Sequence, residues 1–102
     1  MKKYRESLLK ALKNPEEAAA YLNAVLEEGD ETMLLVALKN VVEAFGGFSK
    51  LAKSAHLNRP NLYRIFSKKG NPEVHTLSEI LDKLGLRISI AVKSDTPLRR
   101  AA

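Results

Sequence analysis

The stretch between Asp30 and Gly46 constrains this chain more than any other. Over about residues 31–45 it places Met33, Leu34, Leu35, Val36, Leu38, Val41, Val42 and Phe45 on more than one side of a helix. A surface helix hides one apolar stripe; a helix apolar around most of its circumference has to be wrapped by other elements. The 31–45 segment is therefore expected to be the central core helix. No apolar run in the 102 residues approaches the 18 or more that suit a membrane span, so the wrapping is expected to come from other segments of the chain. One core is what a chain of this size can bury, removing roughly 60–70% of its unfolded surface from water.

The flanking segments carry helical patterns of their own. Tyr4, Leu8, Leu9 and Leu12 fall on one side of a helix over about 3–13. Asn14-Pro15-Glu16-Glu17 then reads as a helix start: Asn14 caps an orphan N–H, Pro15 occupies the first helical position, and Glu17 completes a capping box. Ala18, Tyr21, Leu22, Val25 and Leu26 form the stripe of that second helix, which Gly29 ends. Asp30 caps the central helix, with Glu31 favourable in its first turn, and Gly46-Gly47 stops it. Thr76-Leu77-Ser78-Glu79 has the pattern of a second capping box, opening a helix with Leu77, Ile80, Leu81 and Leu84 before Gly85.

From Leu86 the period changes from 3.6 to 2. Leu86, Ile88, Ile90 and Val92 alternate with Arg87, Ser89 and Ala91, the pattern of a single β-strand. One strand in a helical chain finds no ladder partner at home, so these four residues are expected to pair across a dimer or with another protein. Residues 94–102 read as a flexible tail and residues 1–93 as one domain.

Charge is distributed unevenly. The total of +5 comes from 17 Lys and Arg against 12 Asp and Glu. Residues 1–45 hold six bases and eight acids, a net of −2, whereas residues 46–102 hold eleven bases and four acids, a net of +7. From Gly46 to Pro72 there are six bases (Lys50, Lys53, Arg59, Arg64, Lys68 and Lys69) and not one acid. A block of one sign attracts polyanions, chiefly nucleic acid.

The same block holds two short helical segments near 48–55 and 59–66. Aligned as a helix-turn-helix over 49–66, Ser49 to Ala55 forms the first helix, His56-Leu57-Asn58 the turn and Arg59 to Phe66 the second. Ala52 is small where the axes cross; Leu51, Leu57, Leu62 and Ile65 bury the facing sides. Helices crossed at roughly 90–120° by such a turn project the second one into the major groove of duplex DNA. With Leu62, Ile65 and Phe66 turned inward, Arg59, Asn61, Tyr63 and Arg64 are left outside to read bases. Arg forks onto guanine O6 and N7, and Asn pairs with adenine N6 and N7. Ser49, Lys50, Lys53, Asn58, Ser67, Lys68, Lys69 and Asn71 suit phosphate oxygens. His56 stands where glycine is commonest in such turns, a site that tolerates histidine better than most residues.

Catalysis finds little support. Cysteine is absent, which removes disulfides, thiol nucleophiles and cysteine zinc sites together; with only His56 and His75, no metal site is expected. There is no Ser/His/Asp set and no phosphate-cradling glycine loop, so no enzyme and no cofactor are expected. The start MKKYRESLLK lacks a secretory apolar region, and a cytoplasmic location without membrane contact is expected.

From about Asn14 to Val92 the order of features resembles the addiction-module antidote proteins, HigA-like members of the Xre/Cro type of helix-turn-helix regulators. The resemblance rests on Pro15 to Leu22, on Leu26-Glu27-Glu28-Gly29-Asp30, and on Leu51-Ala52 and Leu62-Tyr63-Arg64. Gly70-Asn71-Pro72, Thr76-Leu77 and Leu84-Gly85-Leu86 complete it. It covers roughly four-fifths of the chain, with His56 and Phe48 as departures. It implies an all-α, five- to six-helix domain like those of Cro and λ repressor, with the helix-turn-helix core at 31–85 and one C-terminal strand. It also implies a homodimer that binds a palindromic operator in double-stranded DNA and represses its own operon. The implied partner is a RelE/HigB-like toxin, commonly an mRNA-cleaving ribonuclease. Two alternatives stay open: a stand-alone repressor without a toxin, and a protein-binding module whose helix pair only packs.

Overall fold

The computed structural model describes residues 2–55, 57–67 and 72–93. Six helices follow one another: α1 (Lys2–Leu12), α2 (Pro15–Glu28), α3 (Glu31–Phe45), α4 (Phe48–Ala55), α5 (Arg59–Ile65) and α6 (Val74–Lys83). The chain is all-helical, and no strand occurs among the described residues.

Caps set most of the boundaries. The Asn14 side chain accepts from the Glu16 amide at 2.8 Å, with Pro15 opening α2. Glu17 makes no return bond to Asn14 among the described residues, so the expected capping box is only half formed. The Asn14 amide already donates to the Ala11 carbonyl at 3.1 Å, leaving nothing for Glu17 to receive. Removing the cap that does exist, by Asn14→Ala, is expected to cost about 1 kcal/mol. Thermal denaturation checks this as a midpoint lowered by about 4–8 °C. Gly29 ends α2 in the left-handed region, and Asp30 caps α3 through the Met33 amide at 3.2 Å.

Helix α3 is the hinge of the architecture. α1 and α2 pack on it from one side, and α4 packs on it beyond the Gly46-Gly47 break, where the chain turns by 86°. Both glycines have positive φ, and their amides close α3 by donating back to Glu43 and Val42. A Cβ on Gly46 would stand 2.6 Å from Cδ of Lys50, so the α4 side chain passes through space that only glycine leaves. α4 in turn carries α5 and α6. One continuous core runs through the molecule, with Leu38, Val42, Leu51, Leu62 and Ile80 almost wholly buried.

A polar bridge ties the first three helices. Arg5 donates to Asn40 Oδ1 at 3.2 Å and pairs with Glu43 at 2.8 Å; the Asn40 amide donates to the Tyr21 hydroxyl at 3.0 Å. It joins α1, α2 and α3 through one side chain at the centre.

Several expectations need correction. Leu86, Ile88, Ile90 and Val92 do not form a strand. Leu86 instead closes α6: its amide donates to the Leu81 carbonyl at 2.8 Å while Gly85, at φ +83°, donates to Asp82. This paired closure after a left-handed glycine brings the residue beyond it back onto the last turn, which is why Leu86 is half-buried against the core. Beyond it the backbone finds no ladder partner among the described residues, and Ile90 is 94% exposed. The alternating pattern calls for a second edge that the described residues do not supply.

Helix α6 begins at Val74, three residues earlier than a capping box with Thr76 at the cap suggests, with Glu73 at the cap and no side-chain cap bond. His75 therefore lies inside the first turn, where its ring stands 3.7 Å from Glu79 one turn on. Tyr4 is 71% exposed rather than part of the α1 stripe, because α1 meets its neighbours through Leu8, Leu9 and Leu12. The wrapping of α3 is one-ended: Ala37, Leu38, Val41, Val42 and Ala44 are buried, while Met33 and Val36 are about half exposed. Leu26 at the end of α2 is likewise uncovered.

Candidate nucleic-acid interface

The α4–α5 pair is built from the inside outward. Leu51 and Leu62 are wholly buried, Ile65 and Ala55 nearly so, and Leu57 packs partly against the same core. Ala52 and Leu57 meet at the end of α4, where the Leu57 amide donates to the Ala52 carbonyl at 3.1 Å. Asn58 then starts α5 sharply, its side chain accepting from the Asn61 amide at 2.7 Å. Pro60 follows in the first turn, where a missing N–H costs little.

This inward packing leaves one face of α5 outside. Arg59, Tyr63 and Arg64 are exposed and Asn61 half-buried. They form two couples along the helix. The Arg59 guanidinium lies over the Tyr63 ring, 5.8 Å from its centre, and donates to the hydroxyl at 3.4 Å. Arg64 donates to Asn61 Oδ1 at 2.5 Å. The spacings of four and three residues are those that bring side chains together on a helix surface. Each couple is solvent-facing, so an incoming acceptor competes with a weak local bond rather than with a buried one.

Phe48 organises the same face, a role the sequence reading missed by treating it as a departure in a turn. It is the first residue of α4, stacks on Phe66 at 5.1 Å, and meets Tyr63 edge-on at 4.8 Å. The available signal was the aromatic pair 63 and 66, one helical turn apart, with a third ring preceding. Beside it a shallow pocket of about 240 Å³ is lined by Lys39, Val42, Glu43, Gly47, Phe48 and Tyr63.

The residues expected at phosphates are scattered around this centre. Ser49, Lys53, Asn58 and Ser67 are exposed or at the surface rim of the pair. Asn58 is occupied as a cap, and the Ser67 hydroxyl donates to the Arg64 carbonyl at 2.7 Å. Lys50 lies elsewhere: its ammonium stands 4.7 Å over the Phe45 ring and borders a cleft of about 470 Å³ with Lys13 and Leu84. Lys68, Lys69, Asn71 and His56 lie outside the described residues. Among the described residues, Lys50, Lys53, Arg59 and Arg64 have no carboxylate partner; the Lys/Arg–carboxylate pair there is Arg5–Glu43. No group of three or more potential metal ligands occurs among them either.

The geometry defines a class: a small protein with six helices among its described residues, whose short helix pair carries bases and no acids of its own. The chain belongs to the family of probable addiction module antidote proteins, whose model matches residues 3–92. It is also similar to an uncharacterized protein of Haemophilus influenzae, 32% identical over 79 residues, which cover 78% of this chain and 80% of that protein. No solved structure matches the chain. An antidote is the antitoxin half of a toxin–antitoxin module, a regulatory role, and it implies a toxin as partner. No single helix among the described residues is long and apolar enough to cross a membrane.

Proposed function

We propose that this antidote is a helix-turn-helix repressor that binds its own operator and neutralises a RelE/HigB-like toxin in the cytoplasm. The observation that carries the DNA reading is the α5 face, where Arg59, Asn61, Tyr63 and Arg64 stand outward from a helix whose other side is core. α4 crosses the backbone and α5 enters the major groove, with its N-terminal residues Arg59 and Asn61 nearest the base edges. Ser49, Lys53, Asn58 and Ser67, with Lys68, Lys69 and Asn71 beyond the described residues, hold phosphates; Lys50, resting on Phe45, has to swing away from that ring to join them. A homodimer reads a palindrome whose half-sites lie about 34 Å apart, one duplex turn. The uncovered Ile88, Ile90 and Val92 side chains support a second copy, since apolar surface left in water favours burial.

Selection from a randomised duplex pool tests the reading. Enrichment of a two-fold symmetric site supports it, and recovery of no preferred sequence overturns it. Lys53→Ala separates the two kinds of contact. It is expected to weaken every duplex alike and to flatten the slope of log affinity against log salt by about one unit per half-site, about two for the symmetric complex, leaving base preference unchanged. Fluorescence anisotropy over a salt series checks both.

A further inference from the structure

We infer that the α2–α3 elbow is the docking surface for a cationic partner, the toxin protein that an antidote must hold. The inference rests on the antidote reading and adds the surface and its chemistry. The starting observation is an uncovered apolar face. Leu26 lies in the last turn of α2, Met33 in the first turn of α3 and Val36 one turn further; they are 54%, 46% and 47% exposed. Only Gly29 and Asp30 separate the two helices. Tyr21 and Asn40, hydrogen-bonded across the pair, show that the helices run back along each other from that elbow. Leu26 and Met33 therefore sit at the same end of the hairpin, with Val36 beside Met33 at helical spacing.

Charge selects the occupant. From Asn14 to Leu38 the chain carries Glu16, Glu17, Glu27, Glu28, Asp30 and Glu31 and not a single Lys or Arg. None of the six has an ion-pair partner among the described residues. Asp30 and Glu31 are explained locally, since an acid at a helix start caps amides and suits the dipole. Glu27 and Glu28 are not. They stand in the last turn of α2, where the helix dipole favours bases and no base is present. Two carboxylates held against the local field, at the same end of the hairpin as exposed leucine and methionine, put negative charge beside uncovered apolar surface. That is the arrangement of an interface for a partner of the opposite sign. A second copy of this chain offering its basic α5 face would give an open chain of heads on tails rather than a closed dimer. The toxin is the occupant that leaves the α5 face free for DNA.

The probe is a purified RelE/HigB-like toxin protein, measured by biolayer interferometry against the immobilised full-length chain at low and raised salt. Glu27→Lys with Glu28→Lys is expected to weaken binding about 100-fold or more and to remove most of its salt dependence. Leu26→Ser with Met33→Ser is expected to weaken it about 10-fold or more at both salts. Both pairs lie on the surface, and thermal denaturation reads whether each variant keeps the wild-type fold. Loss of binding by both folded variants supports the elbow, and wild-type affinity in either overturns it. Failure of the wild-type chain to bind that protein at all overturns the antidote reading instead.

Discussion

Leu62→Ala is expected to lower stability by about 2–5 kcal/mol, the range for truncating a fully buried leucine. That is a large part of the roughly 5–15 kcal/mol that holds a domain folded. Leu62 is wholly buried, and α5 is only seven residues long. Among the described residues α4 is the helix packed closest on it, and Leu62 ties it to the common core. Isolated helices of this length are unstable in water, so tertiary burial supplies nearly all of its order. Truncating this central anchor leaves a cavity that the surrounding core fills only in part. Denaturant unfolding checks the magnitude. Hydrogen exchange is expected to show α5 amides losing protection first, ahead of α3, whose buried face is shared with α1, α2 and α4.

Arg59→Ala is expected to leave the fold intact and change recognition. A bidentate arginine–guanine contact discriminates by about 1–3 kcal/mol, so each half-site loses about 5- to 150-fold in affinity, and a two-fold symmetric complex loses it twice. The guanidinium is exposed, and its present partner is the Tyr63 hydroxyl at 3.4 Å, too weak a bond for its loss to matter to stability. Base preference at one position of each half-site should relax, which distinguishes this change from the uniform loss expected of Lys53→Ala. Binding measured against a panel of single-base operator variants checks it. Unchanged affinity and unchanged preference would remove Arg59 from the reading set.

The two experiments probe links of different legibility. Leu62 and Leu51 were readable as core because both helices repeat apolar residues at three- and four-residue spacing; the structure buries Leu51, Ala55, Leu62 and Ile65 and leaves Ala52, Leu57 and Phe66 partly covered. The caps were readable too: Asn14, Asp30 and Asn58 each accept the amide bond their sequence context called for. The Leu86–Val92 alternation was readable as a pattern but not as a structure. A strand is defined by its neighbour, and the described residues supply none. Tyr4, Leu26, Met33 and Val36 misled for a related reason. Periodicity says which residues share a face, whereas exposure depends on whether another element reaches that end of the helix.

The sequence by itself determined the helices and breaks, the Asn14, Asp30 and Asn58 caps, the buried leucines of the α4–α5 pair and the separation of acids from bases. All of these depend on neighbours within about one helical turn, or on composition. Only the tertiary structure decided that Phe48 props Tyr63, that Arg59 and Arg64 hold their partners in couples, and that Lys50 turns towards Phe45 and Lys13. It also decided that α2 and α3 leave their shared elbow uncovered. These outcomes follow from how far each helix extends and the angle at which it meets the next, above all the 86° turn between α3 and α4. That angle arises from packing across the whole core, where each contribution is small, and no local run of residues encodes it.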